Sequence, residues 1–95
     1  MISRDGERLR LQGPVTITTV SALLSQLREQ LEPGVQTLDF AAVTEVDSAA
    51  VALALECLRE AGRRKLVLTL ANLPAAMRNL AELYAVSNLL QADPG

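Results

Sequence analysis

One uninterrupted passage, residues 38–58, constrains this chain more than any other: Leu-Asp-Phe-Ala-Ala-Val-Thr-Glu-Val-Asp-Ser-Ala-Ala-Val-Ala-Leu-Ala-Leu-Glu-Cys-Leu. A short apolar strand runs into an acidic turn at Asp47 and Ser48, and that turn opens a helix. Asp and Ser are residue types whose side chains satisfy the orphan amide donors of a helix start. The seven residues 49–55 carry no polar side chain. An amphipathic helix buries one stripe, so only about half of such a run can be core. The rest, small and apolar at a helix start, suggests a docking surface.

The helical phase divides the run. At about 100° per residue, Ala50, Val51, Ala54, Leu55, Cys57 and Leu58 fall on one broad arc, taken as the core side. Ala49, Ala52 and Leu53 fall opposite, and Glu56, Arg59 and Glu60 continue that outer side one turn on. The expected contact surface is therefore Asp47, Ser48, Ala49, Ala52, Leu53 and Glu56, flat enough to receive a partner helix. The same patch would also allow weak self-association of the isolated chain.

The flanking sequence alternates between strand and helix patterns. Asp5-Gly6 is a two-residue hairpin signal between residues 1–4 and 7–12, where Leu9 and Leu11 alternate with Arg8 and Arg10. Gly13-Pro14 is expected to end that strand. Over about 19–31, Val20, Leu23, Leu24, Leu27 and Leu31 recur at helical spacing, and Pro33-Gly34 stops the helix. Residues 35–40 predict a strand with Leu38 and Phe40 on one face. The second helix runs from Ser48 to about Ala61, ended by Gly62, with Arg63, Arg64 and Lys65 beside its negative dipole end. Residues 66–70 form a continuous apolar strand of the buried kind. Pro74 sits near the start of a third helix with Leu73, Met77, Leu80 and Tyr84 on one stripe, and the tail from Ala85 is expected to be weakly ordered. Such an order predicts an α/β domain: a mixed, mostly parallel sheet with an N-terminal hairpin, right-handed crossovers and helices mainly on one face. A single domain over 1–95 is expected, its ordered core about 1–90.

Composition narrows the function. Hydrophobic residues make up 49% of the chain and aromatics only 2%, so the core is aliphatic. The formal net charge is -2 and no basic stripe interleaves with aromatics, which argues against nucleic acid. Charged residues interrupt every apolar run before the roughly 18 residues of a membrane span, so no direct membrane insertion is expected. The first residues lack a signal-peptide apolar segment, and the lone Cys57 cannot form an internal disulfide; both fit the cytoplasm.

Most catalytic chemistry lacks its residues. With no histidine, every triad and metal site that depends on imidazole is excluded. No phosphate-binding glycine loop occurs, so no nucleotide cofactor is expected. Cys57 reads as a buried structural thiol. Asp39, Glu45 and Asp47 cluster near strand ends, where a magnesium or phosphoacceptor site is conceivable. The simpler reading is that Asp39 ends a strand, Glu45 is solvated and Asp47 caps a helix. Arg63, Arg64 and Lys65 could touch anionic lipid, but such charges usually complement the helix dipole. The expectation is a chain with no enzymatic activity, cofactor or metal.

Leu38-Asp39-Phe40 followed by residues 43–50, Val-Thr-Glu-Val-Asp-Ser-Ala-Ala, resembles the strand-to-helix signature of STAS domains, and the similarity spans most of the chain. Within that family, Leu80-Ala81-Glu82-Leu83-Tyr84 and an early stop resemble the MlaB-type branch. The resemblance implies a cytoplasmic subunit of a Mla-type phospholipid ABC transporter, which maintains outer-membrane lipid asymmetry. Such a subunit would bind and activate or stabilise a MlaF-like ATPase, beside a MlaE-like permease and a MlaD-like protein, and would sit on the inner membrane through them. The alternative branch is the anti-sigma factor antagonists, switched by serine phosphorylation. There the phosphorylated serine corresponds to Ala49, which has no hydroxyl, and Ala50 replaces the signature glycine. Ser48 stands where the MlaB-type proteins carry the Thr or Ser that contacts the ATPase.

Overall fold

The computed structural model describes residues 1–83. Its elements follow the order β1 (Ile2–Asp5), β2 (Arg8–Val15), α1 (Val20–Gln30), β3 (Thr37–Val46), α2 (Ser48–Arg63), β4 (Thr69–Ala71) and α3 (Ala75–Leu83). The strands form a four-stranded sheet in the order β1-β2-β3-β4. The β1–β2 pair is antiparallel, while β2–β3 and β3–β4 are parallel. The expected mixed sheet with an N-terminal hairpin is the fold found. The tail beyond residue 83, with Tyr84, lies outside the described residues.

The hairpin turn sits one residue later than expected. Asp5 pairs with Arg8, leaving Gly6 and Glu7 as the loop. Gly6 takes φ 62, a left-handed conformation that a side chain would strain. Alternation then sorts the sheet faces. Leu9, Leu11, Leu38, Phe40 and Leu70 are fully buried beneath the helices. Ser3, Arg8, Arg10, Gln12, Thr37 and Asp39 occupy the open face.

Two strands outrun their local signals. β2 continues through Gly13-Pro14 to Val15, and β3 continues six residues past Phe40 to Val46. Each extends the other, because their pairing carries on from Gln12↔Ala42 to Val15↔Val46. Register shifts between Arg10 and Gln12, and between Gly13 and Pro14, absorb the irregularity. Pro14 lacks an N–H and is tolerated at such a shift, where the ladder is already broken. By contrast, β4 is only three residues long; the expected strand over 66–68 is absent, and Val67 is exposed.

α2 also runs past Gly62. Its reversal is made by Lys65 at φ 59, with Lys65 N–H bonding to the Gly62 carbonyl and Leu66 N–H to that of Ala61. This is the Schellman arrangement, with lysine in the place glycine usually fills. α1, α2 and α3 lie side by side on one sheet face, with α2 in the middle.

Candidate functional site at the start of the second helix

The parallel strands β2 and β3 end beside one another, at Val15 and Val46, so the turns that follow them meet at one edge of the sheet. Asp47 joins those turns. Its Oδ1 accepts from Ala49 N–H at 2.8 Å, which makes Asp47 the N-cap of α2. Its Oδ2 accepts from Ile17 N–H at 3.0 Å, in the β2–α1 turn. The 16–19 turn is further closed by its own side chains. Thr19 Oγ1 accepts from Thr16 N–H at 2.9 Å and donates to the Pro14 carbonyl at 3.0 Å. The Thr16 and Thr18 hydroxyls lie 3.0 Å apart.

The predicted surface is only partly presented. Ser48 and Ala52 are exposed, as expected. Ser48 is the first helical residue rather than a cap, and its hydroxyl makes no hydrogen bond among the described residues. Asp47 is half-buried with both oxygens engaged. Ala49 is buried, and Leu53, expected to face outward, is only 1% exposed. Both lie on the inner side of α2, opposite to the expectation. Leu55 and Leu58, expected in the core, are half-buried on the other flank.

The physical reason is that α2 has helices on both sides. Its buried residues are Ala49, Ala50, Val51, Leu53, Ala54, Cys57 and Ala61, an arc broader than a single stripe. Leu53 lies on the edge turned toward α1, the edge Glu56 also occupies, since Arg28 of α1 reaches Glu56 at 3.5 Å. A run without polar residues does not reveal which way it is rotated; the flanking helices decide.

Glu56 is engaged within the domain. Arg59 and Arg63 each approach it at 3.2 Å in addition to Arg28. The hydrogen bond from Arg63 is the main influence holding its carboxyl below the ordinary value, with the nearby guanidinium charges adding to it. Arg64 completes the clasp: it pairs with Glu60 at 3.0 Å and donates to the carbonyls of Arg28 and Leu31 at the end of α1. These bonds account for Arg63 and Arg64 of the basic run at the end of α2.

The acidic residues do not converge. Asp39 lies within β3 rather than ending it, and it is 3% exposed. It accepts from Arg8 at 2.9 Å, Ala41 N–H at 2.9 Å and Asn72 at 3.0 Å. Burial pushes its carboxyl up, but these bonds and the charge of Arg8 outweigh it and leave it below the ordinary value. Glu45 is exposed and Asp47 is the cap. No group of His, Cys, Asp and Glu suited to a metal occurs among the described residues. Burial pushes the Cys57 thiol up to about 12, with Glu56 adding to the effect, so the sulfur is protonated and enclosed.

One exposed residue at this site has no signature in the sequence. Ile17 is 74% exposed in the threonine-rich turn held by Asp47. Ile among threonines, 30 positions from Asp47, carries no local signal of its place. The described residues contain no helix long and apolar enough to cross a membrane.

The solved structure of the anti-sigma factor antagonist SpoIIAA, in its unphosphorylated form, is similar over 93% of this chain and 82% of its own, with TM-score 0.69 and 18% identity. A sulfate transporter family protein from Wolinella succinogenes is similar over 88% of this chain and 70% of its own, with TM-score 0.66 and 15% identity. At such identities the likeness is one of fold. No curated protein matches the sequence. The family model described as "Mlab, STAS domain" matches residues 1–91. On that match, over almost its whole length, the chain belongs to the MlaB-type STAS domain family.

Proposed function

We propose that this chain is the non-catalytic STAS subunit of a Mla-type phospholipid ABC transporter, and that it binds and activates or stabilises the ATPase through the start of α2. The observation that carries the reading is the MlaB-type family match over residues 1–91. The site geometry supports it: Ser48 and Ala52 are exposed and small, and a partner surface can approach the helix there without displacing a bulky side chain. Ala49 carries no hydroxyl at the position that resemblance assigns to the phosphorylated serine of the antagonist branch. The contact surface in this reading is Ser48 and Ala52, with Asp47 supporting it from beneath. Location at the inner membrane follows through the ATPase and permease.

Binding one ATPase conformation or assembly state better than others stabilises that state by the difference in binding free energy. Adding the pure chain to an ATPase–permease complex depleted of it should raise ATP hydrolysis along a saturating binding curve. Ala52→Arg, a change on the exposed face, should shift the curve to higher concentration. No response at saturating occupancy overturns the reading, and capture of a kinase-like anti-sigma factor instead would establish the signalling alternative.

A further inference from the structure

Every arginine of the chain is engaged: all but Arg78 pair with carboxylates, and Arg78 donates to the Leu73 carbonyl. Lys65, the lone lysine, has no ion pair and no side-chain hydrogen bond among the described residues. It also stands where the backbone resists it. At φ 59 Lys65 closes α2 in the left-handed conformation, which glycine takes freely and a residue with a Cβ takes at a cost. Complementing the helix dipole does not account for it, because Arg63 and Arg64 already place guanidinium charge at that end. A strained position that keeps its lysine points to a task for the side chain.

Lys65 lines a cavity of about 360 Å³ at the end of the sheet where β3 and β4 begin, a volume in the range of small-ligand sites. Gln36, Thr37 and Thr69 line it as well, and their side chains make no hydrogen bonds among the described residues. Leu66 and Val67 supply an apolar wall, with Val67 83% exposed. Among the described residues no carboxylate lines the cavity, and neighbouring Glu32 is held by Arg4. The cavity lies at the opposite end of β3 from Ser48 and Ala52, so it is separate from the ATPase contact.

We propose that this cavity binds a phosphodiester, with the Lys65 ammonium and the Gln36, Thr37 and Thr69 donors on its phosphate oxygens and its carbon substituents against Leu66 and Val67. One ammonium with no competing carboxylate matches the single negative charge of a phosphodiester, and hydroxyl and amide donors suit its oxygens. The apolar wall suits the ester carbons, which inorganic phosphate lacks. A lipid headgroup and a soluble phosphodiester share this chemistry.

The test titrates the full chain with dimethyl phosphate and, separately, mixes it with phosphatidylglycerol vesicles. Saturable amide NMR shifts centred on Gln36, Thr37, Lys65 and Val67 are expected with dimethyl phosphate, and none with sodium chloride at equal ionic strength. Lys65→Gly should weaken the response about tenfold or more, the usual scale for a charged hydrogen bond, while melting at or above wild type because glycine relieves the left-handed backbone. Lys65→Met keeps the backbone constraint and should weaken the response equally, which assigns the loss to the ammonium. Co-sedimentation with vesicles that both variants abolish identifies the lipid headgroup, and a response to dimethyl phosphate alone identifies a soluble phosphodiester. Responses that persist in both variants, equal shifts with chloride, or no response to either probe overturn the site.

Discussion

Leu53 carries the clearest stability prediction, because its place was decided by packing alone. It is 1% exposed and lies on the edge of α2 turned toward α1, within the main core cluster. Leu53→Ala removes buried methyl and methylene groups and leaves a void that neighbouring helices and sheet can only partly close. Such changes cost about 2–5 kcal/mol. For a domain of this size each kcal/mol moves the melting midpoint by about 4–8 °C, so a mid-range loss of about 3 kcal/mol lowers it by roughly 12–24 °C. Leu55, two residues on but half-buried, leaves less apolar area to lose, and Leu55→Ala should cost about 1 kcal/mol. Thermal and urea unfolding of both variants, followed by helix circular dichroism, compares them directly. Leu53→Ala melting within a few degrees of wild type, or Leu55→Ala proving the more costly, would refute this rotation of the helix.

Other consequences are as open to measurement. Asp47→Ala should destabilise the domain by about 1–2 kcal/mol, while Ser48→Ala should stay within about 0.5 kcal/mol, because the cap is Asp47 and not Ser48; equal losses in denaturant melts would contradict the capping geometry. Asp39 has a folded-state pKa below its unfolded value, so its contribution is complete above the unfolded value and is lost as pH falls through the folded one. Asp39→Asn should therefore cost more at neutral pH than near about pH 2, and an equal cost at both would show that the carboxylate charge is not what stabilises. Cys57, enclosed and with its thiol pushed up to about 12, should resist an alkylating reagent in the folded chain and react fully in denaturant; rapid native labelling would place the sulfur at the surface.

The family signature over residues 38–50, the order of elements and the aliphatic core were legible in the sequence because they depend on neighbours close along the chain. Periodicity marked α1, with Leu23 and Leu27 buried as their spacing requires, and the Leu9, Leu11, Leu38 and Phe40 alternation marked the buried sheet face. The absence of histidine restricted the chemistry without reference to any fold. Strand length, helix rotation and the composition of the site were tertiary decisions. β2 and β3 extend past Gly13-Pro14 and Phe40 because each supplies the other's hydrogen-bonding partners, which no window on either segment contains. Leu53 rather than Leu55 turns inward because α1 and α3 flank α2, and a run of alanine, valine and leucine offers no polar residue to set its phase. Ile17 reaches the site because the parallel pairing of β2 and β3 brings their ends together and Asp47 binds across the gap: hydrophobic patterning is local, whereas hydrogen-bond partners are chosen by the folded chain.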